Sequence, residues 1–180
     1  MKNEKSKIKG FTLVELLIVI AILGVLAAGI IIAIDPVQQM ARARDASRKN
    51  NIGQIGTALV SYYASHAASY PTADANWLSN LVNAGELKSV PPSVAYSVSG
   101  TSACSTATVV NGYCYNTTGT GGTNAEAVAW TILESKSSKS NCTGTNLPIW
   151  FYSTVEGKAC GACVAATNTV VSPTQACSFQ

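Results

Sequence analysis

Histidine is almost missing from this 180-residue sequence, with His66 the single one. One imidazole that no local motif ties to a serine or cysteine gives no nucleophile–base constellation, and a zinc site would need further ligands from distant parts of the chain. His66 reads instead as an exposed or partly packed helix residue. Charge is sparse too, at 12% of residues, and nearly balanced once the start of the chain is set aside. Residues 1–10 hold four of the twelve basic and one of the nine acidic side chains, so eight of each sign follow Gly10. Such a balance gives no broad electrostatic grip on nucleic acid, and none is expected as a specific partner. No glycine loop suited to phosphate is present, because Gly119–Gly122 lies between strand-like segments without a lysine or a following helix. No internal repeat and no long linker interrupts the chain. No catalytic residue, metal or cofactor is expected, and the chain does not read as an enzyme.

What is abundant is apolar sequence near the start. From Leu16 to Ile34, nineteen consecutive residues carry no charge and no side-chain hydrogen-bonding group. At ~1.5 Å per residue they make about 28 Å of helix, close to the hydrocarbon thickness of a bilayer. Lys2, Lys5, Lys7 and Lys9 precede the run. Glu15 does not suit a plain anchor, since a carboxylate one turn inside an apolar helix is costly without a partner. A cut between Gly10 and Phe11 would supply one, placing the new α-amino group of Phe11 one helical turn from Glu15, and would remove the four lysines as well. A secretory signal peptide would also show lysines and an apolar core, with Ala27-Ala28-Gly29 as a passable cleavage site. An internal glutamate fits that reading poorly, and the apolar run continues past the site.

Lys9-Gly10 followed by Phe11-Thr12-Leu13-Val14-Glu15 and a long apolar helix resembles the class III signal of type IV prepilins and type II secretion pseudopilins. The resemblance implies a prepilin peptidase that cuts after Gly10 and N-methylates Phe11, with Glu15 as the residue used in assembly. It implies an α+β, pilin-like fold, in which the second half of a long N-terminal helix is covered by a small antiparallel sheet. The function implied is a structural subunit of a type IV pilus-like filament, with a pseudopilin of a type II secretion system as the alternative. A membrane-anchored exported redox or adhesive domain is the further alternative. Partners would be the peptidase, copies of itself or other pilins in a helical filament, membrane lipid before assembly, and an inner-membrane assembly platform. Lysines and arginines near the two ends of the span tie in number, so they do not orient it. Lys9 abuts the apolar run while Arg42 lies beyond it, and the later cysteines suit an oxidising compartment, so the N-terminus is placed in the cytoplasm and the domain outside, on a surface filament after assembly.

The expected organisation is a leader over residues 1–10, a transmembrane and assembly helix over 11–34, an amphipathic helix over 35–69 and an exported domain over 70–180. Asp35-Pro36 predicts a kink, a break or a restart with Asp35 as N-cap. Ile52, Ile55, Leu59 and Tyr62 or Tyr63 form an apolar stripe that requires a cover. The charged stretch 40–50 reads as solvated or facing lipid headgroups, with pairing to acidic groups of neighbouring subunits as the alternative. Tyr70-Pro71 ends the helix, and Trp77, Leu78, Leu81 and Val82 predict a short one closed by Gly85. Strands are expected at Val94–Val98, Thr108–Tyr115, Glu126–Glu134, Pro148–Val155 and Val164–Val171, with loops at 119–123 and 135–139.

Cys104, Cys114, Cys142, Cys160, Cys163 and Cys177 all follow the helix. Six cysteines allow fifteen pairings, and the sequence-local set Cys104–Cys114, Cys142–Cys160 and Cys163–Cys177 is the expectation. Cys160-Gly161-Ala162-Cys163 also has the spacing of a thiol redox or half-zinc site, against which stands the extended sequence after it. Asn116-Thr117-Thr118 and Asn141-Cys142-Thr143 match the glycosylation acceptor pattern.

Overall fold

The computed structural model describes residues 10–94, 108–118, 125–165 and 171–180. They divide into two compact units, one ending at Gln39 and one running from Met40 to Gln180. The leader residues 1–9, Cys104, the 119–123 loop and all of the expected 94–98 strand except Val94 lie outside the described residues.

The first unit is built on α1 (Leu13–Ile34) and the start of α2 (Pro36–Ser65). Between them Asp35 takes a left-handed conformation, φ 46°. Its Oδ1 accepts from the Gln38 amide at 3.3 Å, with Pro36 in the first helical position, where a missing N–H costs nothing. The Asp35-Pro36 expectation of a restart is therefore met.

In the second unit α2 lies on a five-stranded antiparallel sheet. The strands β1 (Thr108–Val110), β2 (Tyr113–Thr118), β3 (Glu126–Ile132), β4 (Leu147–Ser153) and β5 (Lys158–Val164) pair in sequence order. Two short helices join them, α3 (Trp77–Asn83) after α2 and α4 (Lys136–Lys139) between β3 and β4. The α+β class expected from the sequence is what is found. The apolar stripe is covered by one face of the sheet. Ile52, Ile55 and Leu59 are buried with Tyr113, Tyr115, Ala127 and Ala129, and with Trp77, Leu78 and Leu81 of α3. Tyr115 stacks on Trp77 with ring centroids 4.5 Å apart, and its hydroxyl donates to the Pro71 carbonyl at 2.9 Å. Burial pushes that phenol well above its ordinary value.

The other face holds a second apolar cluster of Cys114, Val128, Trp130, Ile132, Ile149, Phe151 and Val171. A strand buried on both faces loses its polar alternation. That explains the uneven pattern around Trp130 and Ile132.

Several boundaries differ from expectation. α2 ends at Ser65, not near Ser69, because Ala67 and Ala68 both turn left-handed and the Ala68 amide bonds the Tyr63 carbonyl at 3.2 Å. The strand expected over Thr108–Tyr115 is a hairpin, turning at Asn111-Gly112 with φ of 52° and 81°, a conformation asparagine and glycine tolerate. Residues 135–139, expected as a loop, contain α4, which Ser135 caps by accepting from the Ser138 amide. The last strand among the described residues is Lys158–Val164, which Val164 ends, and residues 166–170 of the expected Val164–Val171 strand lie outside the described residues. Its register against β4 puts Ala162 opposite Ile149 and Cys160 opposite Phe151.

Candidate functional site

Gly10 is exposed, and a methyl group added to it would meet nothing within 4 Å. Packing among the described residues does not call for glycine there. Phe11 is 85% exposed. Thr12 is the N-cap of α1, in extended conformation, and Glu15 stands three residues on. The Thr12 hydroxyl accepts from the Glu15 amide at 3.2 Å, while the Thr12 amide and hydroxyl both donate to Glu15 Oε2 at 2.9 Å. This is a capping box, which satisfies two backbone donors that a helix start otherwise leaves open. Glu15 thus has a partner inside the uncut chain. A hydrogen-bond partner for Glu15 therefore does not wait on the cut before Phe11, since the N-cap side chain at 12 and the carboxylate at 15 are close by helix geometry alone.

Beyond the cap, α1 offers only apolar surface. Leu13–Ile30 qualifies as a membrane span by length and hydropathy, and none of it is buried. Leu16, Leu17, Ile20, Ile22, Leu23, Leu26 and Ile30 are each more than half exposed. An apolar helix of this kind requires either lipid or other helices around it.

The charged stretch at the start of the second unit is not solvated throughout, contrary to what was expected of it: Arg42 and Arg44 are exposed, but two of its charges turn inward. Ala41, Asp45 and Arg48 are buried and continue backward the spacing of Ile52, Ile55 and Leu59. Each Asp45 oxygen accepts two hydrogen bonds. Oδ1 takes the Glu134 amide at 2.8 Å and Arg48 Nη1 at 3.2 Å, and Oδ2 takes the Ser135 amide at 3.0 Å and the Ser138 hydroxyl at 2.9 Å. Arg48 also donates to the Ile132 carbonyl at 3.1 Å and pairs with Glu134 Oε2 at 3.4 Å. Arg44 bonds Glu134 Oε1 from the solvent side. Burial alone would push the Asp45 carboxyl up, but the donors of Ser135, Glu134 and Ser138 together hold it below the ordinary carboxylate range. The two arginines and two carboxylates cancel in charge, and they fasten the β3–α4 connection to α2. Extending the 52–55–59 stripe toward the N-terminus would have flagged Asp45 and Arg48 as inward-facing; their partners, some ninety residues later in the chain, have no local signal.

The cysteine pairing also differs from expectation. Cys142 is bonded to Cys163 and Cys160 to Cys177. Cys160 and Cys163 stand three apart on β5, so they face opposite sides of the sheet and reach different segments. Cys114 is disulfide-bonded, and its expected partner Cys104 lies outside the described residues. The β5 edge next to these bonds is met by the C-terminal segment. The Gly161 amide donates to the Phe179 carbonyl at 2.8 Å, and the Phe179 ring occupies the space a side chain at 161 would need.

His66 is exposed and stacks on Tyr62, ring centroids 3.7 Å apart. The neighbouring Ser65 hydroxyl contacts His66 Nδ1 at 2.9 Å and Glu86 Oε1 at 3.0 Å, but it also lies 3.1 Å from the Ser61 carbonyl, turned back on its own helix. This geometry ties the end of α2 to the segment after α3. Among the described residues no cluster of three or more His, Cys, Asp or Glu is placed to hold a metal ion.

No curated protein and no solved structure matches the chain. Residues 5–31, from the basic leader through most of α1, match the family model described as the prokaryotic N-terminal methylation motif, the class III signal of type IV pilins and pseudopilins.

Proposed function

We propose that this chain is a structural subunit of a type IV pilus-like filament. It is made as a membrane-held precursor, cut between Gly10 and Phe11 by a prepilin peptidase, and assembled through α1 with other copies or other pilins. The observation that carries this reading is α1 itself: a span over Leu13–Ile30 with no buried residue, lying within the methylation-motif match over residues 5–31. Lipid covers such a helix in the precursor, and the helices of neighbouring subunits cover it in the filament. Gly10 supports the same reading, because a glycine that no packing among the described residues requires suits a site where a protease must approach the backbone closely. On this reading the N-terminus lies in the cytoplasm and the second unit is exported, where its disulfides persist.

Intact mass and N-terminal sequencing of native material test the proposal. The expected mature chain begins at Phe11 and carries an added methyl group. A chain that begins at Met1, or one cut after Gly29, overturns it.

A further inference from the structure

Every charged side chain of the second unit falls among the described residues, eight basic and six acidic, and the two signs are not mixed. Arg42, Arg44, Arg48, Lys49, Lys136 and Lys139 lie in two stretches of sequence that the bond from Ser138 to Asp45 draws together. Asp45 and Glu134 are the carboxylates paired there, so six positive charges stand against two negative ones. In the rest of the unit the balance is reversed, with Asp74, Glu86, Glu126 and Glu156 against Lys88 and Lys158.

The sheet measures how far apart these groups lie. The Ile132 carbonyl at the end of β3 accepts from Arg48 at 3.1 Å, and Glu126 opens the same strand. Six steps of strand at ~3.3 Å put about 20 Å between them. Thr154 is bonded to Ala127, next to Glu126, and Glu156 follows it in the β4–β5 turn. α2 gives a second measure, since Glu86 Oε1 accepts from the Ser65 hydroxyl at 3.0 Å. Ser65 stands seventeen residues past Arg48, about 25 Å of helix. Tyr70, soon after Ser65, is bonded to Thr154, so both measures finish at one end of the unit. Each is more than twice the ~8 Å Debye length at physiological salt, and within one copy the two ends do not compensate each other. We propose that a second copy of this chain docks its acidic end, carrying Glu86, Glu126 and Glu156, on the basic end formed by Arg42, Lys49 and Lys139. Two basic ends repel, which selects the head-to-tail approach. A contact between unlike ends is heterologous, and repeated it grows as an open filament unless its rotation closes a ring. The proposal deepens the filament reading and rests on it, adding a contact between second units to the packing of α1.

The test uses the full chain in phosphatidylcholine vesicles, with unlabelled and isotope-labelled copies mixed equally. A carbodiimide joins lysines to carboxylates in direct contact, and mass spectrometry reads the joined peptides. The length of β3 forbids an amide between Lys139 and Glu126 inside one copy. Light–heavy peptides joining Lys139 to Glu86, Glu126 or Glu156 are expected, and high salt should remove them. R42Q combined with K49Q leaves Lys139 in place and should lower their yield roughly fivefold, the combined scale of two exposed pairs. E126Q, at the other end, should also lower the yield of Lys139 joined to Glu86. Absence of these peptides overturns the docking, and so do peptides whose yield ignores salt and both variants. Their loss when phosphatidylglycerol is added to the vesicles assigns the basic end to lipid and overturns it as well. Failure of the filament reading shows separately, as an uncut Met1 terminus in native material, whatever the joined peptides are.

Discussion

Replacing Asp45 with alanine should be among the most damaging single changes in the second unit. The carboxylate is buried and accepts four hydrogen bonds, two from the backbone amides of the buried residues Glu134 and Ser135. Losing it leaves those amides unpaired at about 1–3 kcal/mol each. Arg48 loses one carboxylate but keeps Glu134 and the Ile132 carbonyl, so its charge is only partly orphaned. The expected loss is about 3–5 kcal/mol, the range for breaking a buried ion pair. That is a large part of the ~5–15 kcal/mol that holds a typical domain together. Urea unfolding of the full chain in detergent, disulfides intact and followed by tryptophan fluorescence, measures it. The dependence on pH has a defined sign. Asp45 is depressed in the fold below its ordinary 3.8, so its contribution is complete above that value and fades as pH falls through the folded one. D45N should therefore be less stable at neutral pH and lose less between about pH 4 and more acidic conditions than the parent. A loss below about 1 kcal/mol for D45A, in the range of a surface pair, would refute the reasoning.

Other outcomes follow from the same geometry. E15Q keeps an acceptor for Thr12 but removes the charge, whereas E15L removes both; if Glu15 compensates a neighbour's α-amino group, the two should lower the sheared filament fraction alike while cleavage persists, and normal filaments from E15Q would leave capping as the only role. Two glycines of α2 should respond oppositely to alanine: G56A drives a methyl into the Tyr152 ring and should cost about 1–3 kcal/mol, while G53A meets open space and should gain up to about 1 kcal/mol, both read from urea midpoints. Y115F removes the bond to the buried Pro71 carbonyl and should cost about 1 kcal/mol in the same assay, with α3 still packed on the sheet.

What was legible in the sequence was what repeats at short range. The 19-residue apolar run, the Asp35-Pro36 restart, the 52–55–59 stripe and the Gly85 stop depend on neighbours within a turn or two, and each appears where it was expected. Asn111-Gly112 was equally local, a hairpin turn lost within a β-rich stretch. The buried charge cluster was half visible, because the stripe already points Asp45 and Arg48 inward, but a charged residue there makes sense only with Glu134 and Ser135 in place. The disulfides were not legible for the same reason. Cys142 and Cys177 lie outside the strands, and they reach Cys163 and Cys160 because the segment after α4 and the C-terminal segment are brought to β5 by tertiary packing, which spacing along the chain does not encode.

The two disulfides interlock, and this decides how the second unit would carry mechanical load. Tension applied at the C-terminus reaches Cys177, crosses to Cys160, follows three residues of β5 to Cys163 and crosses again to Cys142. Residues 143–159, with all of β4 and the turn after it, hang slack beside this covalent route. From Cys142 the route enters α4 and then Ser135 and Glu134, which are held to α2 by Asp45 and Arg48. A pull along the molecule is thus delivered to the helix that continues from α1 without unzipping the β4–β5 hairpin, so the sheet can give at its β1 and β2 side while its last two strands stay closed.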